Sequence, residues 1–192
     1  MRAINDRLDE ILPKITDTSF RENKGLGNEI GFYIFDYDPK HEMLVREHVS
    51  NMKDKINNKD SLHIREFDLY EIMLELLGNK GYLQKNIEME QKKGSEFILN
   101  ATRKALRLTS NNDFVVQYIT ERVEPNDIVF LTGIGKVFPI IRSHTILNNL
   151  HKAIDKIPLV MFFPGTYDGL ELRLFGEIKD DNYYRAFQLI DK

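Results

Sequence analysis

The chain has 192 residues, 42% of them apolar and 30% charged, with a net charge of −3 at pH 7. That length and apolar content suit a single domain with a sizeable core, and the near-neutral charge neither demands nor excludes a nucleic-acid partner. The sequence contains no cysteine, which removes disulfides, thiolate metal sites and cysteine nucleophiles together and fits a reducing compartment.

The N-terminal stretch MRAINDRLDEIL carries charges throughout, so no signal peptide is expected. No apolar run approaches the ~18 residues needed to span a bilayer. The chain reads as a soluble cytoplasmic protein with no membrane partner. Ile4, Leu8, Ile11, Leu12 and Ile15 recur at helical spacing and predict an amphipathic helix over residues 3–15, stopped near Asp17-Thr18-Ser19. Phe20–Asn28 reads as a loop. Ile30–Phe35 predicts a first core strand, ending in Asp36-Tyr37-Asp38-Pro39. His41–Ile56 predicts a helix with Leu44, Val45, Val49, Met52 and Ile56 on one side, and Asn57–Asp60 a turn. Leu62–Phe67 alternates as a strand does. Asp68 is placed to cap a helix over Leu69–Leu77, closed by Gly78.

Residues 79–123 predict no strand. Helices fit Tyr82–Lys93, Ser95–Leu108 and Asn111–Arg122, with Ser95 and Asn111 as N-caps. They form a helical insertion or cap on the domain. The stretch Asn126–Gly169 then organises the rest. Its apolar runs Ile128–Leu131 and Pro158–Phe163 read as strands buried on both faces. Between them lie Gly133-x-Gly135, Pro139 in a first helical turn, and a helical pattern through Ile154, which together make a βαβ unit. Leu170–Phe175 alternates as a strand nearer an edge would, and Asn182–Phe187 is short and aromatic. Five strands interleaved with helices predict a three-layer, Rossmann-like α/β domain over residues 1–192, with a mostly parallel central sheet.

In such a sheet the turns after the strands form the functional rim. Gly133-Ile134-Gly135-Lys136 lacks the spacing of a phosphate loop, because Phe130 and Val137 stand where glycine and Ser/Thr are needed. Phe138 replaces the third glycine of a dinucleotide fingerprint. The plain reading is a tight turn, although a helix start behind two glycines can hold an anion. Arg142 near a helix N-terminus is mildly unfavourable by the dipole, about 0.3–1 kcal/mol, and asks for a partner: a carboxylate of the fold or a bound anion. His144 reads first as a structural histidine. Asp36 and Asp38 could hold magnesium or cap the turn they sit in. With Gly133, Gly135, Phe138, Tyr167 and Asp168, these residues make a candidate interaction rim. No nucleophile elbow or metal-ligand spacing occurs, so no catalytic residue, metal or cofactor is assigned. Arg103, Lys104 and Arg107 are candidate nucleic-acid contacts, with a solvated helix face as the alternative.

Four stretches taken in order resemble the BrxB family of the BREX bacteriophage-exclusion systems: GNEIGFYIFDYDP (Gly27–Pro39), FLTGIGKVFPIIRSHTILNNL (Phe130–Leu150), PLVMFFPGTYDGLELRLFG (Pro158–Gly176) and NYYRAF (Asn182–Phe187). The resemblance runs from about Asp17 to Leu189. It implies a small cytoplasmic component of a defence system that also contains a methyltransferase, a large ATPase and a PglZ-type protein resembling alkaline phosphatases. It implies no catalytic residues. The expected role is a non-catalytic interaction subunit whose first partner is the PglZ-type protein. The alternatives are a nucleotide- or anion-binding hydrolase built on the strand-end cluster, and a nucleic-acid-binding module.

Overall fold

The computed structural model describes residues 2–21, 31–58, 62–108, 110, 112–180 and 186–192. The chain opens with α1 (Ile4–Thr16) and the single turn α2 (Thr18–Arg21). β1 (Phe32–Tyr37) follows, then a 3-10 turn at Pro39–His41 and α3 (Glu42–Asn57). Next come β2 (His63–Asp68), α4 (Leu69–Asn79), α5 (Tyr82–Lys93), α6 (Ser95–Ala105) and α7 (Phe114–Thr120). The second half runs β3 (Asp127–Thr132), α8 (Ile134–Val137), α9 (Ser143–Ala153), β4 (Leu159–Tyr167), β5 (Leu172–Leu174), β6 (Ile178–Asp180) and β7 (Phe187–Gln188).

Five strands form one parallel sheet in the order β2-β3-β4-β1-β7. Burial explains why the strands sit where they do. β1 and β3 are buried at every position, which suits the unbroken apolar runs of central strands. β2 is only half buried and lies at an edge, as its alternating sequence requires. Side chains of β1 alternate between two cores: Phe32 and Ile34 face one, Tyr33 and Phe35 the other. The first core packs under α4, α7 and α9, and the second under α1 and α3. In the second, Phe130 and Phe162 meet edge to face with centroids 5.0 Å apart, a favoured aromatic geometry. The architecture is therefore the expected α/β one with a layer of helices on each face.

Several expectations shift. Leu170–Phe175, expected as a strand nearer an edge, lies outside the parallel sheet. It supplies β5, which pairs antiparallel with the extension of β4 and then with β6. The connection explains this: four residues separate β4 from β5, and a parallel return needs a crossover of a dozen or more. The fifth parallel strand is β7, two residues long and paired with β1. Pro139 does not open the long helix. It lies in a turn after α8, behind a cis Phe138–Pro139 bond, and α9 begins only at Ser143. Gly78 lies inside α4, which ends at Asn79. Asp68 does cap α4, accepting from the N–H groups of Tyr70 and Glu71. Ser95 is the first residue of α6 rather than its cap, and α7 is capped by Asp113. The expected cap Asn111, the strand start Ile30, most of the loop through Asn28, the turn at Lys59-Asp60 and the aromatic residues 182–185 lie outside the described residues.

Candidate functional site

The carboxyl ends of β1 and β4 lie side by side, with Asp36 opposite Phe163. The connection leaving β1 passes through α3 on one face of the sheet, and the connection entering β4 passes through α9 on the other. This is the position where open α/β sheets usually hold a ligand. Here the fold closes it with its own groups. Asp36 is 1% exposed. Its carboxylate pairs with Arg7 at 3.0 Å and Lys192 at 2.7 Å, and accepts the Tyr167 N–H at 2.9 Å and the Gln188 amide at 3.4 Å. Arg7 also donates to the Asp36 carbonyl and lies over the Phe35 ring. One buried carboxylate thus ties α1, β1, β4, β7 and the C-terminus together. Buried charges need such partners, because desolvation costs several kcal/mol per ion.

The sequence carries its own signal for a buried Arg7. This residue sits three residues after Ile4 and four before Ile11, on the apolar stripe of α1, where a charge is out of place unless it is paired. Asp38 is the exposed cap of the 3-10 turn. It accepts the Lys40 N–H and pairs with the Lys40 side chain, which holds its carboxyl below the usual range. Asp168 plays a similar local role: the Glu171 and Leu170 N–H groups hold its carboxyl low in a tight turn. Tyr167 is in the core rather than on a rim. Its ring is fully buried, and its hydroxyl donates toward the Ala186 and Gly169 carbonyls at 2.7 and 3.0 Å.

The glycine turn after β3 has two structural tasks. Gly133 has φ +74°, and a Cβ there would lie 2.3 Å from Asp68 Oδ1, so the turn packs directly on the cap of α4. Lys136 reaches back to the same carboxylate. A Cβ on Gly135 would meet the Phe175 ring at 2.9 Å, so this glycine lets α8 lie against the β5–β6 turn. Asp68 and Lys136 form the ion pair of this turn, a pairing across 68 residues that local sequence pattern does not show.

Arg142 occupies the N-cap position of α9 in an extended conformation and makes no side-chain cap bond. The residue is exposed, and its side chain makes no hydrogen bond or ion pair to any other described residue. It lines two crevices. One, of about 60 Å³, is walled by half-buried Phe138, by Phe163 and by Leu172, Leu174 and Ile178 of the β-hairpin. The other, of about 390 Å³, lies toward the end of α6 and also receives half-buried His144. Arg142 therefore adjoins Phe138 in one crevice and His144 in the other, while Asp36, Asp38 and Tyr167 are engaged elsewhere. Among the described residues, no group of three or more His, Asp or Glu side chains is placed to hold a metal.

The basic candidates are split. Arg103 donates to the Pro139 and Ile140 carbonyls and anchors α6 to the turn before α9. Arg107 has φ +56° and covers the Phe114 ring. Lys104 is exposed. No described helix is long and apolar enough to cross a membrane.

Comparison with known proteins agrees with the resemblance seen in the sequence. The family described as "BREX protein BrxB" matches residues 65–189. The chain belongs to the BrxB family. A BrxB protein of Bacillus cereus (strain H3081.97) is 85% identical over the full length of both chains. A BrxB protein of Escherichia coli O9:H4 (strain HS) is 33% identical over 186 residues, covering 96% of this chain and 90% of the relative. No solved structure matches the chain. Membership of the BrxB family places the chain among the proteins of BREX phage-defence systems.

Proposed function

We propose that the chain is a non-catalytic interaction subunit of a BREX assembly, docking on its PglZ-type component through the rim at the start of α9. One observation carries the reading: the Arg142 side chain is an exposed cation with no partner among the described residues, set beside a small crevice with an apolar wall that includes Phe138. Arginine and aromatic groups around a small apolar pocket are what interface hot spots are made of. The closed switch point supports the same reading. A strand-end site for nucleotide and magnesium would need the oxygens of Asp36, and these are engaged by Arg7, Lys192 and Tyr167.

The test is co-purification of the tagged full chain with all other BREX proteins expressed, using wild type and Arg142→Ala. The wild type retains the PglZ-type protein and the variant loses it, together with phage protection. Truncation of an exposed side chain leaves stability within about 0.5 kcal/mol, so the variant still folds. Purification of the wild type alone under mild salt overturns the reading. Joint loss of folding and protection would make Arg142 a structural strut, and full retention of both would remove the rim from function.

A further inference from the structure

The α5–α6 hairpin half-buries Met89, Ile98 and Leu99 and leaves its other large apolar groups exposed. α5 has no buried residue along its 12 positions, and α6 buries only Thr102. The seam between them carries a polar contact, Asn86 to Thr102 at 3.3 Å. Meanwhile Ile87 is 54% exposed, Phe97 40%, and Tyr82 and Leu83 37% each. Leu83 and Ile87 are one turn apart and share a face of α5. A surface helix normally places such residues inward and its asparagine outward. Helices this short are marginal in water unless an amphipathic face is covered.

Charge narrows what covers it. Residues 80–107 hold seven Lys and Arg against three Glu, in a chain whose net charge is −3. Lys85, Lys92, Lys93 and Lys104 are exposed. A second copy presenting the same hairpin would set like charges against each other. A nucleic acid would call on the arginines, yet Arg103 is held by backbone carbonyls and Arg107 lies over Phe114. Leu83 and Ile87 offer aliphatic surface, which neither pairs with phosphate nor stacks on bases, and the exposed rings of Tyr82 and Phe97 already carry Lys85 and Lys93 over them. An acidic protein surface with an apolar centre fits both the lysines and the aliphatic face.

We infer that the α5–α6 hairpin is a second docking surface, separate from the Arg142 rim, for an acidic face of another BREX protein; this rests on the interaction reading above. Tagged full-length chain is co-expressed with the other BREX proteins and isolated as wild type, Ile87→Asp, Lys92→Glu/Lys93→Glu, and a control, Met43→Asp, at a residue that is 72% exposed elsewhere. The first two variants lose at least tenfold of a co-purifying BREX protein, while the control retains it. Melting curves verify that every variant is folded, and the charge-reversal variant tests the surface without touching the apolar face. Full retention by both hairpin variants overturns this inference and leaves the interaction reading standing. If wild type retains no BREX protein, both fall. Retention abolished by nuclease would assign the hairpin to nucleic acid. A wild-type dimer dissociated by Ile87→Asp, with BREX protein still bound, would assign it to self-association. Either of these two results overturns the inference.

Discussion

Replacing Asp36 should be among the costliest single substitutions in the chain. In Asp36→Ala the Arg7 guanidinium, with its side chain 8% exposed, stays buried and loses its counter-charge. Two carbonyl contacts remain to it, at 2.8 Å from Asp36 and 3.4 Å from Ile190. The Tyr167 N–H loses its acceptor too. Removing one partner of a buried pair costs about 3–5 kcal/mol. For a domain of this size each kcal/mol is worth about 2–4 °C, so the melting temperature should fall by roughly 6–20 °C. Lys192 is the internal control: its side chain is 37% exposed and can swing into water, so Lys192→Ala should cost no more than about 1 kcal/mol. Urea unfolding of wild type, Asp36→Ala, Lys192→Ala and the Arg7→Met/Asp36→Ala pair measures each term, with Arg7→Met alone completing the cycle. The cycle should show strong coupling between Arg7 and Asp36. If Asp36→Ala lies within 1 kcal/mol of wild type, the closed switch point is not what holds β1, β4 and the C-terminus together, and the case against a ligand there weakens with it.

Gly133→Ala should destabilise by about 2–3 kcal/mol, combining left-handed strain with displacement of the Asp68 cap, whereas Gly81→Ala, at φ +66° with open space around its Cβ, should show the strain alone. Burial pushes the Asp113 carboxyl up, against the opposing bonds from Asn149, Val116 and Val115. A raised value means that its contribution is full below the ordinary aspartate range and is lost as pH rises, so Asp113→Asn, which can still cap α7, should gain stability relative to wild type as pH rises from about 4. Chemical denaturation at a series of pH values checks this, and a constant difference across pH would refute it. Arg103→Ala should lower stability by about 1–2 kcal/mol through its lost bonds to Pro139 and Ile140, and should leave DNA retention at low salt unchanged. Loss of DNA retention without loss of stability would return Arg103 to the nucleic-acid reading.

Local pattern was sufficient for most elements. Apolar runs with β-branched and aromatic residues marked β1, β3 and β4, and helical spacing marked α1, α3 and α5 within a residue or two. Asp68 as a cap was visible because a short acceptor immediately before an apolar helix has few other uses. β7 was missed because two residues cannot show a period: it is a strand only because β1 offers an unpaired edge. The late start of α9 was missed because Ile140 keeps helical spacing with Leu147 and Ile154 while lying in a turn.

The candidate site divides along the same line. The residue order alone placed Gly133, Phe138, Arg142 and His144 close together, because they lie within one connection between adjacent strands. It also raised the question that Arg142 poses, since a cation at a helix start lacks a local reason to be there. Which carboxylates could answer it was a matter of distance in space. Asp36 lies 29 residues from Arg7 and 156 from Lys192 in sequence, and only the sheet order brings those cations to it. Charge pairing acts over a few ångströms regardless of chain separation. Periodicity therefore assigned the strands and helices, while tertiary packing decided that Asp36 is a buried clasp, Tyr167 a core residue, and Arg142 the cation left facing outward.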